Sequence, residues 1–143
     1  MRRSGNGGFT LIELVVVISI LGILAAFAVP RFIALEGRAR AATVQSLAGS
    51  VRSSATMVHG LWMASGNPGT VTVEGQTITI TNGYPNRATI DNTLVDLNGF
   101  TYTQGNGIFN RVGATTPAQC RVTYTPPAAA NLPPTIVVVS TGC

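Results

Sequence analysis

The sequence GFTLIELVVVISILGILAAFAVPR occupies residues 8–31 and decides the architecture of the chain. From Leu14 to Val29 it has no charged residue, and Ser19 is its only polar side chain. As a helix from Phe9, this run is about 32 Å long at a rise of 1.5 Å per residue. That length matches the hydrocarbon core of a bilayer, which is roughly 30 Å thick. We therefore predict a membrane-spanning helix here.

One acid, Glu13, lies near the start of this apolar run. A carboxylate inside a bilayer costs about 2–3 kcal/mol on insertion scales. We therefore expect the carboxylate of Glu13 to have an interaction partner or a function. The alternative is an interfacial acid without a function.

The octadecamer GFTLIELVVVISILGILA, which begins at Gly8, closely resembles the signal of type IV pilins of the type IVa prepilin family and of type II secretion pseudopilins. In that family a membrane peptidase cleaves between the glycine and the phenylalanine and then methylates the new N-terminus. The resemblance implies cleavage between Gly8 and Phe9 and N-methylation of Phe9. The new amine of one subunit would then pair with Glu13 of a neighbour during assembly.

Residues 1–8, MRRSGNGG, form the leader that this cleavage would remove. Arg2 and Arg3 are expected to remain on the cytoplasmic side of the membrane. An ordinary secretory signal is the alternative, with a small-x-small cleavage site at residues 26–28. Such signals avoid acids in their hydrophobic region, so Glu13 favours the pilin-type leader.

Gly22 and Pro30 interrupt the apolar helical pattern. Proline removes one backbone hydrogen bond and glycine weakens a helix. In the family, the equivalent region can loosen when subunits leave the membrane and pack into a fibre. The resemblance therefore implies an assembly role for both residues, through an extended stretch between them. The alternative is a simple kink in a membrane helix.

The helical pattern continues over residues 31–64 but becomes amphipathic. The opposite, polar flank includes His59, the only histidine, which we expect to be a plain surface residue. The sequence SGNPG at 65–69 indicates where the helix stops. We predict one helix, made of an apolar segment at 9–30 and an amphipathic segment at 31–64. Its apolar stripe, with spacings of three and four, is Val44, Leu47, Val51, Ala55, Val58 and Trp62.

Residues 65–143 switch to the period-two alternation of strands. Two alternating runs flank Glu74-Gly75-Gln76 and predict a hairpin. The composition of residues 82–86 predicts a joint rich in turns. We predict a short helix from Asp91 to Asn98 and further strands at 100–103, 120–125 and 135–140. The fold class is α+β, with a long N-terminal helix packed against one small antiparallel sheet.

Two cysteines, Cys120 and Cys143, lie late in the chain. Their spacing does not favour a metal or redox site, whereas export to an oxidising compartment favours a disulfide. Closing this loop should contribute roughly 3 kcal/mol. We predict a C-terminal disulfide loop that makes the last two strands antiparallel neighbours, the alternative being two unpaired thiols.

This β-rich half is similar to pilins of the mannose-sensitive haemagglutinin type. The similarity rests on the hairpin, on Tyr84-Pro85, on the spacing Cys120-x-x-x-Tyr124 and on the closing valine-rich strand with Gly142-Cys143.

Little in the sequence points to a reaction. It has no His/Cys/acid cluster with ligand spacing and no phosphate-binding loop, so we predict no catalytic residue, cofactor or metal. Asp91 and Asp96 offer too few of the six to eight oxygens that calcium takes. Removing Arg2 and Arg3 lowers the formal charge from +4 to about +2, which leaves no basis for nucleic-acid binding.

The resemblance implies a structural subunit that polymerises with its copies into a type IV pilus for adhesion, surface attachment and motility. Its implied partners are the prepilin peptidase, the inner membrane and the pilus assembly machinery. Its implied location is the inner membrane as a single-pass precursor and then an extracellular fibre. The alternatives are a minor pilin, a type II secretion pseudopilin, or a signal-anchored exported enzyme or binding module.

Overall fold

The structure, a computed structural model, describes residues 8–143. It divides into two compact units, one ending at Glu36 and the other comprising Gly37–Cys143. The leader predicted at the N-terminus falls, for residues 1–7, outside the described residues. The predicted segments at 9–30, 31–64 and 65–143 concern membrane and assembly roles and stay predictions.

Helix α1 spans Leu11–Ala64 and contains Pro30. Beyond its end, Gly66 and Asn67 have left-handed φ angles of 80° and 63°, and the N–H of Asn67 donates to the carbonyl of Trp62 at 3.0 Å. A glycine in this conformation is a common way to close a helix. The predicted stop is confirmed.

The first sheet has three antiparallel strands in the order β1-β2-β3. Strand β1 is Thr70–Val73, β2 is Gln76–Thr81 and β3 is Tyr84–Pro85. Both connecting turns have two consecutive positive φ angles, which is the pattern of tight hairpins. The hairpin around 74–76 is confirmed. The joint predicted at 82–86 is a second hairpin, in which Tyr84–Pro85 pairs with the end of β2.

The second sheet has four antiparallel strands in the order β4-β5-β6-β7. Strand β4 is Phe100–Thr103, β5 is Ile108–Arg111, β6 is Arg121–Thr125 and β7 is Thr135–Val139. The α+β class is confirmed, but the single predicted sheet is wrong, since residues 86–99 separate two sheets. Strand β5 was not predicted, because its four residues show no clear alternation of polar and apolar side chains.

The helix predicted from Asp91 to Asn98 is also wrong beyond its first turn. Only a 3-10 helix forms, at Asp91–Thr93, and Leu94 is already extended. Further along, the carboxylate of Asp96 accepts hydrogen bonds from the backbone and side-chain N–H groups of Asn98 at 2.7 and 2.9 Å. Such local bonds compete with helix formation and favour turns.

The core lies between the apolar stripe of α1 and the two sheets. Towards the second sheet, Val44, Leu47 and Val51 are buried, in one cluster with Phe109, Val122 and Tyr124. Towards the first sheet, Val58 is buried in a smaller cluster with Val71 and Ile78. The packing of the sheets on the predicted stripe is confirmed.

Cys120 and Cys143 form the predicted disulfide, and β6 and β7 are antiparallel neighbours. Cys120 is fully buried. The guanidinium of Arg40, on α1, donates to the backbone carbonyl of Cys143 at 3.0 Å. The disulfide and this hydrogen bond together hold the tail on the helix.

Candidate functional site: the exposed apolar helix

Residues 9–29, which we call the apolar segment, are exposed to solvent almost throughout. Phe9 is 84% exposed. In the described part of the chain, one helix, α1, is long and apolar enough to cross a membrane, and none of its most apolar window is buried. A large apolar side chain gains about 1.5–3 kcal/mol on burial, so this surface requires lipid or protein around it. Its large exposed side chains are Phe9, Leu11, Ile12, Leu14, Val15, Val16, Val17, Ile18, Ile20, Leu21, Ile23, Leu24, Phe27 and Val29.

Thr10 and Glu13 form a reciprocal cap at the start of α1. The backbone N–H and the hydroxyl of Thr10 donate to Oε2 of Glu13 at 2.9 and 2.7 Å, and the N–H of Glu13 donates back to the Thr10 hydroxyl at 3.3 Å. This is a capping box, which satisfies backbone donors that the first helical turn leaves open. This role of Thr10 was not predicted, although the spacing Thr-x-x-Glu is the recognised sequence signature of a capping box.

Glu13 lies in apolar surroundings. Together with Phe9, Ile12, Val16 and Val17, it lines a depression of about 360 Å³ on the helix surface. Glu13 is the only ionisable side chain in that lining. If another apolar surface covered this depression, the carboxylate would need a partner of opposite charge, because unpaired buried charges are strongly destabilising.

The peptide bond between Gly8 and Phe9 lies outside the helix, which begins at Leu11. Both residues are exposed and in no regular secondary structure. The bond is therefore accessible to a peptidase in the described chain.

Ser19, Gly22 and Pro30 lie along the continuous helix. The hydroxyl of Ser19 donates to the carbonyl of Val15 at 2.8 Å, so this polar group is satisfied within the helix. A Cβ placed on Gly22 would meet no atom within 4 Å. The extended stretch between Gly22 and Pro30 concerns the assembled fibre and stays a prediction.

Among residues 8–143, no three His, Cys, Asp or Glu side chains converge as metal ligands. Asp91 has one buried carboxylate oxygen, Oδ1, for which the described chain offers no hydrogen-bond partner. Burial raises the pKa of Asp91 above its ordinary value. Asp91 is therefore a partly desolvated acid, without other acids grouped around it in the described part.

The interpretation of His59 as plain surface is wrong. Its ring is half-buried and stacks parallel on Tyr84, with centroids 4.2 Å apart and an interplanar angle of 2°. The ring of Trp62 lies 5.4 Å away on the same helix, and Nδ1 of His59 is 2.8 Å from the carbonyl oxygen of Gly83. The i, i+3 spacing of His59 and Trp62 indicated in the sequence that these two rings share one face of the helix. The sequence did not indicate the stacking on Tyr84, which comes from the second hairpin.

Comparison with known proteins places the apolar segment within a recognised motif. The prokaryotic N-terminal methylation motif matches residues 3–29. No solved structure matches the chain significantly.

Three relatives are similar to part of the chain. A type IV narrow pilus major component of Thermus thermophilus is 57% identical over 47 residues, which cover 33% of this chain and 40% of the relative. A type IV major pilin of Neisseria gonorrhoeae is 37% identical over 86 residues, which cover 53% of this chain and 40% of the relative. A type IV major fimbrial protein of Dichelobacter nodosus is 51% identical over 50 residues, which cover 35% of this chain and 31% of the relative.

The chain thus spans two fifths or less of the length of these three relatives. The narrower similarity to mannose-sensitive haemagglutinin pilins stays a prediction. The methylation motif and these matches show that part of the chain is similar to type IV major pilins.

Proposed function

We propose that this chain is a structural subunit of a type IV pilus. It is cleaved between Gly8 and Phe9, methylated on the amine of Phe9, held in the inner membrane by residues 9–30, and polymerised with its copies into an extracellular fibre. The observation that carries this proposal is the unburied apolar segment, which coincides with the methylation motif.

Burial of the apolar segment supplies the driving force for assembly. Lipid covers this surface in the precursor. Outside lipid, it is buried only against an equally apolar surface, and the copies of the same segment in neighbouring subunits provide one. Repetition of one such contact gives a fibre with the helices in its centre.

Glu13 sets the register of that contact. Cleavage creates a positive amine on Phe9, and Glu13 is the only acid in the apolar segment. Pairing the amine of one subunit with Glu13 of its neighbour neutralises both charges in apolar surroundings. Subunits out of register would bury an unpaired charge, at a typical cost of about 3–5 kcal/mol.

The proposed partners follow from cleavage, membrane anchoring and polymerisation of the chain. They are the prepilin peptidase, the assembly machinery of the inner membrane and further copies of the chain. The three relatives are named as pilus or fimbrial components, and we assign this chain the same structural, non-enzymatic role. Adhesion to surfaces and motility are the functions such a fibre would serve.

The test is to shear the cell surface, examine the released material by electron microscopy and sequence its main subunit by mass spectrometry. We expect abundant fibres whose subunit begins with N-methylated Phe9. A scarce subunit found only at fibre tips or in short secretion assemblies would identify a minor pilin or a pseudopilin. A monomeric protein that retains residues 1–8 would contradict the proposal.

A further inference from the structure

Asparagine is followed directly by glycine at three places in the unit Gly37–Cys143. These pairs are Asn82–Gly83, Asn98–Gly99 and Asn106–Gly107. A fourth pair, Asn6–Gly7, lies outside the described residues. Because glycine has no Cβ, its backbone nitrogen can approach the side-chain amide of the preceding asparagine closely. The pilus role proposed above does not use any of these pairs.

An asparagine before a glycine can modify itself. The backbone nitrogen of the glycine attacks Cγ of the asparagine and forms a new C–N bond, while the side-chain nitrogen takes up the proton and leaves as ammonia. Water then adds to one of the two carbonyl carbons of the resulting cyclic succinimide and opens it. The product is aspartate if the new C–N bond breaks, and isoaspartate if the original peptide bond breaks. The rate depends on how easily the two reacting groups reach the attack geometry.

The first pair is held in place on both sides. Nδ2 of Asn82 donates to the carbonyl of Pro127 at 2.8 Å. Gly83 is buried, and a Cβ placed on it would come within 2.9 Å of the Trp62 ring. For the attack, Asn82 would have to release Pro127 while Gly83 moved within a tightly packed turn. This pair should therefore react slowly.

The second pair is restrained by a neighbouring acid. The carboxylate of Asp96 accepts from the backbone N–H and from Nδ2 of Asn98, at 2.7 and 2.9 Å. Hydrogen bonds to an ionised acceptor are stronger than those between neutral groups. The amide of Asn98 must leave Asp96 before it can react, which should slow this pair as well.

The third pair lacks such side-chain restraints in the described part of the chain. Asn106 is exposed in the turn between β4 and β5, and its side-chain amide has no hydrogen bond within residues 8–143. The backbone around it is anchored, because the N–H of Asn106 donates to the carbonyl of Thr103 at 3.2 Å and the carbonyl of Gly107 accepts from the N–H of Tyr124 at 2.7 Å. The side chain of Asn106 can therefore rotate towards the nitrogen of Gly107 without breaking a bond of its own.

We propose that the fold makes Asn106 a site of spontaneous deamidation, which converts it to aspartate or isoaspartate. The reaction consumes water and needs no enzyme. Arg87 favours the acidic product, since its side chain runs beside this turn: a Cβ on Gly107 would lie 3.3 Å from Cγ of Arg87, and an opposite charge favours an ionised carboxylate. The product adds a negative charge to the turn and, as isoaspartate, lengthens the backbone before Gly107 by one atom.

The test measures all three pairs in one sample. The full chain, in detergent at mildly alkaline pH, is incubated in water enriched in heavy oxygen, which enters only the carboxylates that form during the incubation. Peptide mass spectrometry gives the rate at each asparagine, and electron-transfer fragmentation distinguishes aspartate from isoaspartate. We expect Asn106 to react about threefold to tenfold faster than Asn82 and Asn98, the effect of one hydrogen bond.

Unfolding the chain in urea is the first control. It removes the restraints of the folded state, and since a glycine follows each asparagine, the three rates should become similar. If the folded order of the rates persisted in urea, the local sequence rather than the fold would set it, and the proposal would be overturned.

Two matched variants test the restraint itself. Asp96→Ala removes the acceptor of the Asn98 amide and should accelerate the reaction of Asn98 about tenfold, with no change at Asn106. Glu74→Ala removes another exposed acid, in the β1–β2 turn, and should change neither rate. The proposal is overturned if Asn106 stays intact, if it reacts no faster than the other two in the folded chain, or if Asp96→Ala leaves Asn98 as slow as before. None of these results bears on fibre formation, which is measured separately.

Discussion

The backbone N–H and the hydroxyl of Thr10 both donate to one carboxylate oxygen of Glu13, at 2.9 and 2.7 Å. The other oxygen, Oε1, has no hydrogen-bond partner within residues 8–143. Glu13 can therefore cap its own helix and still present an acceptor to the amine of a neighbouring subunit. The helix cap needs only an acceptor oxygen, whereas the pairing needs a negative charge, so the two roles can be separated by substitution.

Replacing Glu13 by glutamine tests the charge alone. Glutamine keeps an oxygen that can accept from Thr10, as capping boxes permit, but it cannot neutralise the Phe9 amine. We expect Glu13→Gln to be expressed, cleaved and membrane-bound but to yield few fibres in sheared material. The matched control is Glu74→Gln, which removes an acid from the exposed β1–β2 turn and should assemble normally.

Replacing Thr10 by alanine tests the cap alone. This substitution costs the helix about 0.5–2 kcal/mol but leaves the carboxylate of Glu13 intact. We expect Thr10→Ala to form fibres, with more fraying of the first helical turn by hydrogen exchange. Normal fibres from Glu13→Gln together with failed assembly of Thr10→Ala would show that the cap matters and would refute the charge-pairing idea.

A pair of glycines separates backbone strain from steric clash. Gly83 and Gly75 have φ angles of 88° and 81°, but a Cβ on Gly75 meets no atom within 4 Å, whereas one on Gly83 meets Trp62. In both alanine variants, the left-handed backbone becomes strained, which lowers the free energy of unfolding by roughly 1–2 kcal/mol. Gly83→Ala should lose about 1–3 kcal/mol more from overpacking. Urea unfolding measures the difference, and equal losses would contradict the close packing of this turn.

The disulfide should account for roughly 3 kcal/mol of the free energy of unfolding, because it closes a loop with a sequence separation of 23. We expect the double variant Cys120→Ala, Cys143→Ala to lose about this amount in urea unfolding of the Gly37–Cys143 unit. A reductant should destabilise the unchanged chain to a similar extent and leave the double variant unaffected. A reductant that alters both proteins equally would point to another cause.

Alkaline pH should destabilise the fold through Tyr102, which is half-buried. Burial raises the pKa of Tyr102 to about 12, above the value of about 10 for an exposed phenol. The folded chain therefore holds this proton more tightly than the unfolded chain does. The stability linked to it is present below about pH 10 and is lost as the pH rises towards 12.

Tyr102→Phe provides the check. At neutral pH this variant should be less stable by about 1 kcal/mol, since it lacks the hydrogen bond from the Tyr102 hydroxyl to the carbonyl of Arg87. Between about pH 10 and 12, its urea midpoint should fall less steeply than that of the unchanged chain. Parallel pH profiles for the two proteins would rule out Tyr102 as a source of the alkaline sensitivity.

Local patterns explain what could be predicted from the amino-acid order. The apolar run at 9–29, the stripe from Val44 to Trp62 and the strand that ends at Val73 each depend on residues a few positions apart. Hydrophobic periodicity and turn chemistry act over the same distances. The two late strands were also predictable, because a disulfide between Cys120 and Cys143 brings them together.

The tertiary structure decided what depends on partners distant in the chain. His59 has the spacing of a surface residue, yet the second hairpin brings Tyr84 onto its ring and Gly83 onto its Nδ1. The helix begun at Asp91 ends after one turn, where the hydroxyl of Thr93 donates to that of Ser54 on α1, 39 residues away in the chain. Sequence order alone thus determined an apolar helix that must be covered, because burial of apolar surface needs no exact geometry. The contacts of His59 with Tyr84 and Gly83 depended on the tertiary structure, because hydrogen bonds and ring stacking form only at fixed distances and angles.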